Sequence, residues 1–278
     1  MSYIIRNMKP EEMPLAVEMA AIEGWNPGLY DADCFYNTDP DGFFVGELHG
    51  EIIAVKSAVR YGNEFGFMGF YIVKKEFRGS GYGLKLWKHA YEYLSDIPSG
   101  MDGVVAQQEN YMKSGYKLYY KNNRYEGKNL KGESDSSLKD LKDVSVEQLV
   151  SYDASVFPAK RESFVKMWVK QPESLTKIAV GDKGIEGYGM IRKCRKGYKI
   201  GPLFANDEVN AERIFLSLTE FADGAEIYLD VPEVNLKGNA LKDKYGMKYV
   251  FECGRMYANG IPEDNPNKVF GVTTFELG

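Results

Sequence analysis

The sequence contains few of the residues on which several common kinds of site depend. It has two histidines in 278 residues, with His49 predicted in a hairpin turn and His89 on a helix, so a metal centre is not expected. Its three cysteines, Cys34, Cys194 and Cys253, form no CxxC pair and are predicted to be free thiols. No G-x-S-x-G motif occurs, which argues against a serine hydrolase.

Excess positive charge and long apolar runs are also missing. The chain carries 35 Lys and Arg against 40 Asp and Glu, which gives a formal net charge of -5. This balance provides no basic field for nucleic acid and mildly favours a cationic or amine substrate. No apolar stretch reaches the roughly 18 to 20 residues of a membrane span, and residues 1–6 lack the basic start and apolar core of a signal peptide. We predict a cytoplasmic protein that binds neither nucleic acid nor membranes.

What the sequence does contain is a glycine-dense turn between an apolar strand and a helix. The strand ends near Val73, and Leu84, Trp87, Tyr91 and Leu94 recur at the spacing of one helix face, so the helix is predicted to begin at the turn. The first turn of a helix has unpaired N–H groups and a partial positive charge, which favour an anion. The turn is therefore predicted to hold phosphate.

The residues of the turn support this prediction and exclude two kinds of phosphate site. Gly79, Gly81 and Gly83 allow positive φ angles and close approach of a ligand, and Arg78 adds a permanent charge. A nucleoside triphosphate loop is excluded because no Lys followed by Ser or Thr comes after these glycines. A dinucleotide-binding loop is excluded because a leucine stands where the third glycine of G-x-G-x-x-G is required, in either register.

The pattern Arg78-Gly79-x-Gly81-x-Gly83, after a strand ending in Val-x-x-Glu-Phe, resembles the acyl-CoA loop of the GCN5-related N-acetyltransferases, the GNAT family. The resemblance implies acetyl-CoA as cosubstrate, no metal, and an α/β fold with a mixed sheet. In that family, backbone N–H groups on a splayed strand before the loop hold the thioester carbonyl, and by position these belong to Ile72 and Val73. The predicted coenzyme-binding residues are Ile72, Val73, Arg78, Gly79, Ser80, Gly81, Tyr82 and Gly83.

The order of predicted elements in the first part of the chain matches this fold. It runs strand, helix, hairpin, strand, loop, helix, strand, short helix and strand. The predicted bounds, apart from the helix after the loop, are 3–6, 10–21, 43–47 with 52–59, 66–73, 101–107, 111–114 and 118–124.

The chain is predicted to contain this fold twice. Residues 1–127 form an acetyltransferase domain, the polar segment 128–144 a linker, and residues 145–278 a degenerate GNAT-like domain. A closing strand over 268–277 is predicted without an assigned partner. The repeat rests on matching positions, which are Lys113 with Lys244, Gly115 with Gly246, Lys117 with Lys248, and Arg124 with Arg255.

The second copy lacks the predicted coenzyme loop. Its strand over 198–204 is followed by Asp207 and Glu208, and Asn210 stands about where Arg78 does. Two carboxylates would repel a pyrophosphate, and without glycines a ligand cannot approach the backbone closely. We therefore predict one active domain out of two.

Candidate catalytic residues follow from the same resemblance. In many relatives a tyrosine four residues before a glycine protonates the leaving thiolate, and Tyr111 has that spacing to Gly115; the alternative is a packed tyrosine. The corresponding residue of the second copy is Lys242. Many relatives carry a glutamate as base on the strand before the loop, where residues 69–71 provide no carboxylate.

The base and the acceptor pocket are left open. Candidate bases are Glu23, Asp31, Asp33, Glu64 and Glu109, residues that are also typical of a solvated surface. The predicted residues of the substrate pocket are Trp25, Tyr30, Gln107 and Glu109.

Taken with the resemblance, these residues predict an acetyl-CoA-dependent N-acetyltransferase. It would transfer the acetyl group to a primary amine of a small molecule or peptide by direct attack. The alternative is a non-catalytic protein that binds or senses acyl-CoA, with an intact loop and no base. The sequence does not determine the acceptor amine, the role of the second copy, or whether the protein forms a homodimer.

Overall fold

The computed structural model describes residues 3–278. Met1 and Ser2, which fall in the predicted first domain and in the segment searched for a signal peptide, lie outside the described residues. The first half comprises β1 (Ile4–Asn7), α1 (Met13–Ile22), α2 (Asp31–Tyr36), β2 (Phe43–Leu48), β3 (Glu51–Tyr61), β4 (Phe65–Val73), α3 (Tyr82–Tyr93), β5 (Ser99–Val104), α4 (Gln108–Lys113) and β6 (Lys117–Gly127). The second half comprises β7 (Lys139–Asp140), α5 (Val146–Asp153), α6 (Glu162–Trp168), β8 (Ser174–Gly181), β9 (Gly184–Lys193), β10 (Tyr198–Ala205), α7 (Glu208–Phe221), β11 (Ile227–Pro232), α8 (Leu236–Lys244), β12 (Lys248–Ala258) and β13 (Val269–Gly271).

The elements predicted for the first half are present in the predicted order, but α2 was not predicted and several bounds differ. The strand predicted to reach residue 107 ends at Val104, and Val105–Gln107 form a 3₁₀ turn. The helix predicted over 10–21 begins with a 3₁₀ turn at Pro10–Glu12 before α1. Proline is compatible with such a first turn because its missing N–H would have no partner there.

The predicted buried face of α3 is wrong at one position. Leu84 is 55% exposed, whereas Leu86, Trp87 and Ala90 are buried against the sheet. Leu86 and Ala90 are four residues apart and so share one face of the helix. Leu84 therefore lies at the rim of the glycine turn and is free to face a ligand.

The predicted mixed sheet is confirmed, but all named strands join a single sheet, which was not predicted, and the two halves exchange a strand within it. The order is β1-β2-β3-β4-β5-β12-β6-β11-β10-β9-β8-β7, and β13 pairs with β10. β12 from the second half lies between β5 and β6, antiparallel to both, and β6 in turn pairs with β11. Each half therefore completes its sheet with a strand of the other.

Two buried ion pairs fix this exchange at equivalent places. On β6 and β11, Arg124 lies directly opposite Asp230, and Arg124 Nε is 2.7 Å from Asp230 Oδ1. On β12 and β5, Arg255 lies directly opposite Asp102, and Arg255 Nη2 is 2.8 Å from Asp102 Oδ2. Arg124 and Arg255 are one of the matched pairs of the predicted repeat. The repeat therefore places the same cross-half contact at both ends of the exchange.

The core and the predicted linker also connect the halves. The largest apolar cluster contains residues of both, and Phe35 of α2 stacks on Trp168 of α6 with ring centroids 5.8 Å apart. The segment 128–144 crosses α7, where the Asp135 carboxylate pairs with Arg213 at 2.7 Å. It is therefore anchored along its path, while the domain limits at 127 and 145 remain predictions.

The end of the chain differs from the prediction. A strand over 268–277 is confirmed only at Val269–Gly271, which is β13. Residues 272–278 leave β10 and pack against the first half, where the Tyr61 hydroxyl donates to the Leu277 carbonyl at 2.7 Å. We call residues 272–278 the tail. It brings part of the second half to β4.

The three cysteines are free and buried, as predicted. Within residues 3–278, no helix is both long and apolar enough to cross a membrane. In the same part of the chain, no group of three or more His, Cys, Asp and Glu side chains is arranged to hold a metal ion.

Candidate active site

Strands β4 and β5 separate beside the glycine turn. They are parallel and pair only from Gly66 with Ser99 to Met68 with Met101. Beyond Met68 a bulge shifts the register of β4 against β3, and Phe70 adopts a φ of 47°. A bulge bends a strand and interrupts its pairing. The splay expected before the loop is therefore present, and it begins at residue 69.

An open groove of about 470 Å³ runs from the splay to the glycine turn. Of the predicted coenzyme-binding residues, Ile72, Val73, Arg78, Gly79, Gly81 and Gly83 line it, together with Trp25 and Gln107 from the predicted substrate pocket. Ser80 and Tyr82 do not line it; Tyr82 packs on Tyr3, with ring centroids 4.7 Å apart.

The first turn of α3 is open to a ligand. Its N-cap residue, Gly81, has a φ of 81°, and no side chain caps the helix. Gly83 must lack a side chain because a Cβ there would lie 2.9 Å from the Tyr71 hydroxyl oxygen and from Val73 Cγ2. Uncapped N–H groups at a helix start form an anion site. The groove therefore fits a phosphate-bearing coenzyme at this end.

Arg78 is positioned by two contacts. Its Nε donates to the Val73 carbonyl at 2.8 Å, and its Nη2 lies 2.5 Å from the Glu23 carboxylate. The side chain remains 44% exposed. Glu23, one of the candidate bases, therefore forms an ion pair with Arg78 at the rim of the groove.

The equivalent helix of the second half is closed. The Asp207 carboxylate accepts a hydrogen bond from the Asn210 backbone N–H at 2.8 Å and so caps α7. A side-chain oxygen at the N-cap occupies one of the free donors that an anion would use. The start of α7 thus lacks a donor that the start of α3 leaves free, while the absence of coenzyme binding in the second half stays a prediction.

A smaller cavity of about 50 Å³ lies beyond the splay, and we call it the inner cavity. It shares Trp25, Tyr71 and Val104 with the groove. The two spaces therefore adjoin at the splay, with these residues between them. The other lining residues of the inner cavity are Lys56, Met68, Gly69, Phe70, Met101, Asp102, Tyr111, Arg124, Phe251, Cys253, Phe275 and Glu276.

Tyr111 lies on the wall of the inner cavity. It is 4% exposed, stacks on Trp87 with centroids 5.0 Å apart, and meets Tyr71 edge on. Burial raises the pKa of the Tyr111 hydroxyl, so the group keeps its proton at neutral pH. A protonated hydroxyl beside the splay can donate a hydrogen bond to a departing sulfur.

Two predicted pocket residues lie outside both spaces. The Tyr30 hydroxyl donates to the Glu173 carboxylate at 2.6 Å, and Glu109 is exposed on α4. Neither lines the groove or the inner cavity. Asp31, a candidate base, is buried in an ion pair with Arg192 at 2.9 Å. Asp33 and Glu64 line neither space.

Lys56 was missed by sequence reasoning. Its Nζ donates to the Gly69 carbonyl at 2.9 Å and to the Ser57 carbonyl at 3.0 Å, across the bulge of β4. Burial lowers the pKa of this amine well below its ordinary value. The available signal was a single lysine inside the apolar run 52–59, since a charge on a buried strand needs an explanation.

The lining from the second half was missed as well. Phe251 and Cys253 lie on β12, and Phe275 and Glu276 lie on the tail. They reach the inner cavity because β12 is exchanged and the tail crosses to β4. Local sequence patterns carry no signal for such a rearrangement.

Comparison with known proteins agrees with this fold and site. A sequence model described as "Acetyltransferase (GNAT) family" matches residues 5–120. A second, described as "Acetyltransferase (GNAT) domain", matches residues 149–271. The chain belongs to the GNAT family of acyltransferases and has a GNAT domain in each half. The predicted tandem fold is thereby confirmed.

Three similar proteins match this chain over nearly its whole length. A holothin acyltransferase from Pseudoalteromonas sp. (strain SANK 73390) is 29% identical over 96% of this chain and 92% of its own. A structure of a putative acetyltransferase from Pyrococcus horikoshii has a TM-score of 0.83 and 21% identity, covering 99% of this chain and 96% of that one. A structure of a tandem GNAT protein from the clavulanic acid biosynthesis pathway has a TM-score of 0.64 and 13% identity. The match covers 95% of this chain and 100% of that one. These two structures show the shared fold.

Proposed function

We propose that the protein is an acetyl-CoA-dependent N-acetyltransferase that acts on a primary amine of a small molecule. The observation that carries the proposal is that the groove at the uncapped start of α3 and the inner cavity adjoin at the splay, where Trp25, Tyr71 and Val104 line both. One end suits a pyrophosphate and the other encloses a small group. The relative described as a holothin acyltransferase supports acyl transfer as the reaction.

The chain contributes positioning and proton transfer to this reaction. Acetyl-CoA would supply an activated thioester, and the groove residues Ile72, Val73 and Arg78 would hold it at the splay. The acceptor ammonium must lose a proton before its nitrogen attacks, and the sulfur must gain one as it leaves. Tyr111, on the wall of the inner cavity, would donate that proton to the sulfur. Enclosure by Trp25 and Phe251 orients the amine and excludes water.

One observation supports the alternative function, a protein that binds or senses acyl-CoA without catalysis. β4 carries no carboxylate at Gly69, Phe70 or Tyr71, as a protein that only binds or senses acyl-CoA would allow. The two functions differ in turnover. Supplying acetyl-CoA with a panel of primary amines and measuring free thiol distinguishes them, because a sensor binds the coenzyme without releasing thiol.

The coenzyme site is tested by adding one carboxylate to each of the two helix starts. We expect Gly81→Glu to abolish acetyl-CoA binding in calorimetry, because the new charge faces the phosphates and the φ of 81° disfavours a side chain. Val209→Glu at the start of α7 is the matched control, since Val209 is 64% exposed. Unchanged affinity in Gly81→Glu, with the protein folded, would refute the site.

A further inference from the structure

The tail occupies the position at which β4 lacks a side chain. Gly69 is the first residue of β4 beyond its pairing with β5. A Cβ on Gly69 would overlap the carbonyl oxygen of Glu276. Only glycine allows the tail to approach this closely, so the absence of a side chain at residue 69 is matched to the presence of the tail.

The tail is held firmly at that place from both halves. The Tyr61 hydroxyl of β3 donates to the Leu277 carbonyl at 2.7 Å. From the second half, Arg161 Nη1 donates to the Gly278 carbonyl oxygen at 2.9 Å, and Arg161 Nη2 donates to Thr273 Oγ1 at 2.8 Å. Arg161 is itself buried and paired with Asp153 at 2.8 Å. These hydrogen bonds on both sides of Glu276 therefore fix its position beside β4.

The Glu276 side chain is a buried carboxylate on the wall of the inner cavity. The residue is 4% exposed, and the Thr274 hydroxyl donates to its Oε2. No described residue donates a hydrogen bond to its other oxygen, Oε1. Ionised carboxylates in a protein interior are normally hydrogen-bonded through both oxygens. Oε1 is thus available to a donor that enters the cavity.

Buried basic side chains lie near this carboxylate. The ionisable groups that interact electrostatically with Glu276 are Arg124, Arg192, Lys199 and the Cys253 thiol. Arg124 and Arg192 are already paired with Asp230 and Asp31. They supply positive potential without covering Glu276 Oε1.

We propose that Glu276 is the general base, supplied to the first half's site by the tail of the second half. The inference rests on the proposed function and names the group that β4 does not provide. The acceptor ammonium would give one proton to Glu276 Oε1. The freed nitrogen lone pair would form the new bond to the thioester carbonyl carbon, and the carbon–sulfur bond would break with its electron pair staying on the sulfur. The sulfur would take a proton from Tyr111, and the second proton lost by the nitrogen would restore the tyrosine hydroxyl, which leaves a neutral amide and a free thiol.

The test compares amines that need a base with amines that do not. A primary alkylamine such as benzylamine is protonated at neutral pH, whereas an arylamine such as para-anisidine is not. With acetyl-CoA and the best-accepted member of each class, we expect Glu276→Gln to lower kcat/KM for the alkylamine by about 100-fold. Its kcat/KM for the arylamine should stay close to that of the wild type. The deficit for the alkylamine should shrink as pH rises, because more of the free amine is then neutral.

Two controls separate this role from a structural one. Glu263→Gln removes an exposed carboxylate of the same part of the chain and should leave both rates unchanged. Glu276→Gln should bind acetyl-CoA as tightly as the wild type in calorimetry and keep its melting temperature within a few degrees. A merely structural Glu276 would lower both rates equally and with no dependence on pH.

The outcomes also separate this inference from the proposed function. No thiol release by the wild type with any amine would overturn the proposed function and this inference with it. Three other outcomes would overturn the inference alone. They are equal kcat/KM of wild type and Glu276→Gln with the alkylamine, an equal fall in kcat/KM with both amines, and a wild type that accepts only arylamines.

Discussion

At the scale of single residues, two neighbouring tyrosines that both pack on Trp87 have opposite surroundings. Tyr111 Oη makes no hydrogen bond to any described residue and lies beside the inner cavity, whereas Tyr116 Oη shares a hydrogen bond with Ser99 Oγ at 2.8 Å. Both rings are buried and pack against Trp87. Removing each hydroxyl therefore tests a different property, catalysis in one case and stability in the other.

We expect Tyr111→Phe to lower kcat at least tenfold while changing the free energy of unfolding little, because no internal hydrogen bond is lost. Tyr116→Phe should show the reverse, a loss of about 1 kcal/mol of stability with turnover retained. Steady-state kinetics and urea unfolding measure the two effects. Full activity in Tyr111→Phe would show that this tyrosine only packs, the alternative that the sequence left open.

Lys56 is a residue whose burial predicts a pH dependence. Its pKa is lowered by burial, so folding is opposed at low pH by the charged amine and this opposition disappears as pH rises toward the unfolded pKa of about 10.4. We expect Lys56→Met to be more stable than the wild type at low pH, with a difference that shrinks toward high pH. Urea unfolding from about pH 6 to about pH 10 measures it.

The matched control is Lys88→Met, which removes an exposed lysine of α3. It should show no such trend. A stability difference for Lys56→Met that stays constant across the same pH range would mean that the buried amine is as basic in the folded state as in the unfolded chain.

At the scale of elements, the start of each long helix decides what its half can bind. α3 begins at an uncapped glycine, and α7 begins at Asp207, whose carboxylate accepts from the Asn210 N–H. The first arrangement leaves donors for a ligand, and the second uses one of them for stability. One helix start is thus open to a ligand, and the other is closed by its own cap.

We expect Asp207→Ala to lower the free energy of unfolding by about 1 kcal/mol, the usual effect of removing an N-cap. Acetyl-CoA affinity should not change, because α7 borders neither the groove nor the inner cavity. Thermal melting and calorimetry measure these two quantities. A gain of a second acetyl-CoA site in this variant would contradict the view that the second half is unable to bind coenzyme.

Much of the element order and the loop could be predicted from sequence because their signals are local. Glycines beside Arg78 and the apolar period of α3 are read within a few residues. Glu276 could not be predicted, since its approach to Gly69 depends on a contact between residues over two hundred positions apart. Leu84 was misassigned because apolar spacing alone does not distinguish a core residue from one at the rim of a ligand groove.

At the scale of the whole molecule, strand exchange makes the two halves one structure. β12 separates β5 from β6, so the first half alone would leave two strand edges without partners. The Arg124–Asp230 and Arg255–Asp102 pairs lie in this exchanged region. The second half therefore completes the sheet of the first and supplies part of the wall of the inner cavity, whether or not it binds coenzyme.

The Arg255–Asp102 pair allows this dependence between halves to be measured. We expect Arg255→Met to cost about 3–5 kcal/mol, because Asp102 is left as an unpaired buried charge. The double variant Arg255→Met with Asp102→Leu should recover much of that loss, since both charges are then gone. Urea unfolding followed by fluorescence gives the free energies, and Lys237→Met, in an exposed pair with Glu208, should change stability by less than about 1 kcal/mol. If the double variant loses the sum of the two single losses, the pair is not a coupled contact, and the exchanged strand must be held by backbone pairing and apolar packing alone.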